Sequence, residues 1–144
     1  MFNERRMFCK YIGSGSSRNV FDLGNGYVMK VAKNLAGIAQ NRVEYQISSM
    51  DSSDLFAKVI QVSSNFNYLV MQKADKINSI TDILYYFNVR SIDELFSLRE
   101  FQNIVYRYNL LANDLCRTSS WGIVNGEPVI IDYGFTREVS ARYY

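Results

Sequence analysis

A chain of 144 residues, 48% of them apolar, is long enough to bury a substantial core and fits one domain. Its formal net charge of +2 excludes a strong field for nucleic acid or for an acidic membrane surface. With no histidine, His-based triads, His general bases and the common zinc and iron sites are excluded as well.

The two cysteines, Cys9 and Cys116, lie far apart and outside any metal-ligand spacing, so they read as free thiols in a reducing compartment. Residues 1–10 carry charges but no apolar signal-peptide core, and no apolar run is long enough for a membrane span. These features point to a cytoplasmic protein. The basic group Arg5, Arg6 and Lys10 reads as a solvated face.

In chain order, strand signals cover residues 8–12 and 19–23 and flank a glycine-rich turn, Gly13-Ser14-Gly15. Gly24-Asn25-Gly26 signals a hairpin leading into a strand at 27–32. Residues 35–50 change to helical period, with Ala36, Ala39, Val43, Ile47 and Met50 on one face. Strands follow at 56–62 and 68–72, joined by a polar turn at 63–67. The second half turns helical: Ser91 with Glu94, and Ser97 with Glu100, have capping-box spacing. Ile104, Val105, Tyr108 and Leu111 continue an apolar stripe, and Asn125-Gly126 signals a last hairpin between 122–124 and 128–132. The pattern predicts one α+β domain over residues 1–144, an antiparallel sheet with a helix followed by a small helical part carrying a β-hairpin.

Several polar residues sit where a purely structural role is not their sole reading. Glycines in the turn at 13–15 accept close approach of a ligand, and its N–H groups suit phosphate; an ordinary tight hairpin uses the same residues. The turn lacks the following helix of a dinucleotide fingerprint and the Gly-Lys-Ser/Thr of a Walker loop. Lys30 lies in an apolar strand on the same face as Val28 and Ala32. Facing inward it needs an anion or a carboxylate such as Glu44; facing outward it is simply solvated. Asp132 ends the apolar run Val129-Ile130-Ile131, a position suited to a hard cation and equally to a hairpin end. Asp114, after Leu110-Leu111-Ala112, is placed either to accept a proton from a hydroxyl or to end a helix. Trp121 reads as core.

Taken in order, these residues resemble the protein-kinase-like superfamily, over nearly the whole chain from Tyr11 to Phe135. Gly13, Gly15 and Val20 match positions of the G-x-G-x-x-G-x-V loop, with Arg18 where the third glycine stands. Val28-Met29-Lys30-Val31 resembles the V-A-I-K strand, Asp114-Leu115 the catalytic loop and Asp132-Tyr133-Gly134 the D-F-G metal site. The resemblance implies a minimal kinase-like fold, with residues 1–72 as an N-lobe and 73–144 as a truncated helical C-lobe with its β-hairpin. It implies ATP and Mg²⁺ as cofactors, Lys30 on the phosphates and paired with Glu44, and Asp132 on the metal. Met71 to Lys73 would meet adenine, Asp114 would act as the catalytic aspartate, and Ser119 or Ser120 would replace the metal-binding asparagine. Ala112-Asn113 stands in place of His-Arg, and with ten residues following Gly134 no activation segment is expected within these 144 residues.

Two functions follow from the resemblance. One is an ATP-dependent phosphotransferase acting on a protein or on itself. The other is a catalytically inactive pseudokinase, of the kind encoded by phages, that binds and inhibits a host enzyme or defence complex. Either implies a nucleotide or protein partner, with Tyr85, Tyr86, Phe87 and Tyr144 as candidate contact aromatics. No basic and aromatic residues interleave into a nucleic-acid groove.

Overall fold

The computed structural model describes residues 9–144. The expectations on Arg5, Arg6, Phe8 and the signal-peptide region lie outside the described residues. Five strands, β1 (Lys10–Ser14), β2 (Arg18–Asp22), β3 (Tyr27–Ala32), β4 (Val59–Val62) and β5 (Tyr68–Gln72), form one antiparallel sheet in the order β1-β2-β3-β5-β4. Helix α1 (Leu35–Met50) packs on it after β3. A second, three-stranded sheet joins β6 (Asp75–Lys76), β7 (Trp121–Val124) and β8 (Glu127–Ile130). Helices α2 (Ile80–Tyr86), α3 (Ile92–Ser97) and α4 (Arg99–Tyr108) lie between β6 and β7, and α5 (Arg137–Tyr143) follows β8. The α+β architecture agrees with the sequence expectation.

Local chemistry explains most boundaries. Asn34 caps α1 by accepting from the Gly37 N–H at 3.0 Å. Asn125 and Gly126 take positive φ, 52° and 80°, as the two-residue turn joining β7 and β8 requires. Ser91 caps α3 through the Glu94 N–H, while the Glu94 carboxylate accepts from Arg90 rather than closing a full box on Ser91. The second expected box does not form. Ser97 ends α3 with its hydroxyl on the Glu94 carbonyl at 2.6 Å, and α4 starts at Arg99 after Leu98, which gives no side-chain cap. Helix α2 was not anticipated, although Ser79 caps it with Asp82 in its first turn.

A single apolar cluster runs through both halves of the chain. It joins Leu69 and Met71 of β5 to Ile83, Leu95, Phe101, Ile104, Leu115, Trp121 and Ile130. Trp121 is core, its indole N–H donating to the Leu115 carbonyl at 2.7 Å. Phe56 and Ile130 form a parallel bridge, with Ala57 N–H on the Ile130 carbonyl (2.9 Å) and Ile130 N–H on that of Leu55 (2.7 Å). This bridge ties the end of β8, and with it Asp132, to the segment before β4.

Helix α1 corrects the helical-period reading. Its buried face carries Ala36, Gly37, Gln40, Asn41, Glu44 and Ile47, whereas Met50 is 63% exposed. The buried side is largely polar because its partners are charged groups from other elements, as the site shows.

Candidate functional site

The β2–β3 register sets the site's floor. Arg18 pairs with Ala32 and Val20 with Lys30, so Arg18 and Val20 share a face with Val28, Lys30 and Ala32. Lys30 is on the inner face, buried, and its Nζ donates to Glu44 Oε1 at 3.0 Å and to the Ile131 carbonyl. Glu44, fully buried on α1, meets it from above.

Glu44 is the hub. Its carboxylate accepts from Arg18 Nη1 (2.8 Å) and Nη2 (3.0 Å), from Lys30, and from the backbone N–H groups of Tyr133 and Gly134, each at 3.0 Å. Burial alone would push this carboxyl up, but Arg18 and Lys30 together hold it at about 2, well below its ordinary value. Burial lowers Lys30 below the ordinary lysine value, against the attraction of Glu44. Arg18 is buried too, and the pull of Glu44 and Asp132 keeps its guanidinium firmly charged.

Sequence reasoning treated Arg18 as a missing glycine and did not assign it a role. In the structure it makes a bidentate pair with Glu44, donates to Asn41 Oδ1 at 3.0 Å, and reaches Asp132 Oδ1 at 3.0 Å. No local signal marks this arginine, because its partners lie 23 to 114 positions away along the chain.

The Asp132-Tyr133-Gly134 segment lies against α1. A Cβ on Gly134 would sit 2.6 Å from the Gln40 carbonyl oxygen, so only glycine lets the chain pass here. Tyr133 points inward, its hydroxyl donating to the Ala57 carbonyl at 2.6 Å and its ring 4.6 Å from that of Phe56. Asp132 points the other way, with 44% of its side chain exposed.

These groups open onto one cleft of about 880 Å³, within the size range of small-molecule sites. Of the expected residues, Gly15, Val20, Lys30, Met71, Lys73, Asp114 and Asp132 line it. Glu44 is buried behind its wall, and Gly13 lies outside the lining. A Cβ at Gly13 or Gly15 would meet nothing within 4 Å, so packing does not demand glycine there; the turn instead leaves room beside the cleft. Lys33 ties this turn down, donating to Ser14 Oγ (2.9 Å) and the Gly15 carbonyl (2.8 Å).

Two expectations are altered by geometry. The Ser120 hydroxyl is buried and donates to the Asp114 carbonyl at 2.7 Å; Ser119 is the serine on the cleft. At the expected adenine segment, the Gln72 and Lys73 N–H groups are spent on the Lys58 and Gly26 carbonyls, both at 2.9 Å. Neither N–H is free for a base edge. The Lys73 ammonium is held by Asp22 at 2.7 Å.

Asp114 lies on a short 3₁₀ turn, paired with Arg117 at 3.1 Å. Burial first, and the nearby Asp132 charge second, push its carboxyl up to about 6. A carboxylate near that value can take a proton from a hydroxyl close to neutral pH. Of the exposed-aromatic candidates, Tyr85, Tyr86 and Tyr144 are exposed, but Phe87 packs edge-on against Phe101.

The residues fit a Mg-nucleotide by chemistry. A base would meet the apolar wall of Val20, Val28 and Met71, a phosphate would meet Lys30, and Asp132 and Asp114 are carboxylates of the kind Mg²⁺ takes together with phosphates. Among the described residues no group of three or more His, Cys, Asp or Glu is arranged to hold a metal alone. No helix among them is long and apolar enough to cross a membrane.

No family model matches the sequence, and no curated protein matches it. Among solved structures, the chain is similar to APH(2'')-IIa in its ternary complex with streptomycin and ATP. The identity is 17% over 92% of this chain and 68% of that one, with a TM-score of 0.52. The bifunctional kinase-methyltransferase WbdD aligns at 20% identity over 82% of this chain and 29% of that one, with a TM-score of 0.46. The first likeness shows that the chain has a protein-kinase-like fold, as the motifs implied.

Proposed function

We propose that this protein binds Mg-ATP in the cleft between its two sheets and transfers phosphate to a hydroxyl, on a protein or on itself. The observation that carries this reading is the convergence of Lys30, Asp132 and Asp114 on one cleft, with Glu44 behind them. Lys30, held by Glu44, would orient the phosphates. Asp132, with Asp114 near it, would hold Mg²⁺, which when bound supplies Lewis-acid charge to the phosphoryl oxygens. Asp114, sitting near 6, would accept the proton of the attacking hydroxyl. In such transfer the protein mainly positions groups and stabilises charge. The neighbour's ATP complex supports the choice of nucleotide.

A binding-only role, as a pseudokinase that occupies another macromolecule, is the second reading. The observation that favours it is the Arg18 contact on Asp132, which engages one oxygen of the carboxylate a metal would use.

The test is the melting temperature with Mg-ATP, Mg-ADP and metal-free nucleotide. Ligand at 100 times its Kd adds about 2.7 kcal/mol. A rise that needs Mg²⁺ supports the nucleotide site and justifies a radiolabelled search for the acceptor. A flat response in all conditions refutes it.

A further inference from the structure

Resting on the nucleotide reading, we propose that Arg18 is a resident cation of the cleft. It is held between Glu44 and Asp132 and occupies one oxygen of the Asp132 carboxylate, so that a nucleoside polyphosphate is taken up with one divalent ion.

The geometry is that of a built-in part. The chain turns inward after the exposed Gly15 and Ser16, and Ser17 and Arg18 are buried. Asn41 is fully buried, its amide N–H on the Phe66 carbonyl at 2.9 Å, which leaves Oδ1 facing the guanidinium. Four contacts to three side chains use both terminal nitrogens of Arg18. Only a planar fork can grip one carboxylate with two parallel bonds and still reach a second; a lysine ammonium is a point charge.

The charge balance gives the consequence. Arg18 and Lys30 face Glu44 and Asp132, and Asp114 is paired with Arg117. Three carboxylates therefore meet three cations, two of them, Arg18 and Lys30, buried. A divalent ion arriving alone finds no uncompensated charge, whereas one arriving with phosphates brings its own. Ser120 is turned inward, Ser119 offers the cleft only a neutral hydroxyl, and Asp132 Oδ1 is held by Arg18, so carboxylate ligands remain for one ion rather than two. Arg18 acts through Asp132 and Glu44, so it is a positioning residue.

The test is Mn²⁺ binding to the nucleotide-free protein, followed by electron paramagnetic resonance, in wild type, Arg18→Met and Arg18→Lys. Removing the fixed positive charge beside Asp132 should tighten Mn²⁺ at least about tenfold in Arg18→Met, since like charges at such range repel strongly. Asp132→Asn added to Arg18→Met should cancel the gain. Equal Mn²⁺ affinity in wild type and Arg18→Met overturns the proposal. If circular dichroism shows Arg18→Met unfolded, Arg18→Lys decides, because an ammonium keeps the charge but cannot hold both Glu44 and Asp132 Oδ1, which frees that oxygen for Mn²⁺. A smaller gain is then expected, and no gain refutes the assignment. In wild type with ATP, one Mn²⁺ per bound nucleotide supports the proposal and two overturn it. Failure of ATP to bind wild type refutes the proposed function, a result separate from the metal-alone comparison.

Discussion

Replacing Glu44 by glutamine removes one charge and keeps the shape, so it probes the hub of the site directly. Five hydrogen bonds converge on this carboxylate: two from Arg18, one from Lys30, and one each from the N–H groups of Tyr133 and Gly134. In Glu44→Gln the new amide nitrogen can accept from none of these donors, and Arg18 and Lys30 lose their buried counter-charge. The fall of the Glu44 carboxyl from 4.5 to about 2 corresponds to about 3 kcal/mol of stability. Removing one partner of a buried pair typically costs about 3–5 kcal/mol, in agreement. Because the folded value is depressed, the unfolded chain takes up the proton first. The contribution is therefore complete above about pH 4.5 and is lost as pH falls toward about 2. Urea denaturation followed by circular dichroism should show Glu44→Gln less stable by about 3–5 kcal/mol at pH 7, a melting drop of ~10 °C. The gap to wild type should narrow between pH 4.5 and 2. A loss under about 1 kcal/mol, or a gap that does not change in acid, would refute the account of Glu44 as a charged hub.

Four further substitutions test the same geometry. Asp114 is held up near 6, so ionising it costs folded stability that appears as pH rises through about 4 to 6. Asp114→Asn should then be more stable by ~1–2 kcal/mol at pH 8, solvent screening having reduced the full effect, and should match wild type below about pH 4 in thermal melts. Loss of phosphotransfer in that variant would mark the base. Gly134→Ala forces a Cβ to 2.6 Å from the Gln40 carbonyl oxygen and should cost about 1–3 kcal/mol by urea denaturation. Lys30→Ala should abolish the Mg-ATP shift in melting temperature, and Asp132→Asn should abolish its Mg²⁺ dependence; full Mg-nucleotide binding by both would refute the site.

Much of the fold was legible because its signals are local. The strand at 27–32, the helix at 35–50 and the strand at 68–72 carry their period and caps within a few residues. Helix α2 was missed although Ser79 and Asp82 mark its start, and α5 begins at the Thr136 cap, also unread. The second capping box failed because Ser97 completes the end of α3 instead.

By itself the sequence determined most of the element types, the α+β class and the ordered motifs from the glycine turn to Asp132-Tyr133-Gly134, since these depend on neighbours in the chain. Which face of α1 is buried, the inward turn of Ser120 and the role of Arg18 were decided only by tertiary structure. A buried charge is tolerated only where opposite charges meet it, and here they come from β2, β3, α1 and the end of β8, which only folding brings together.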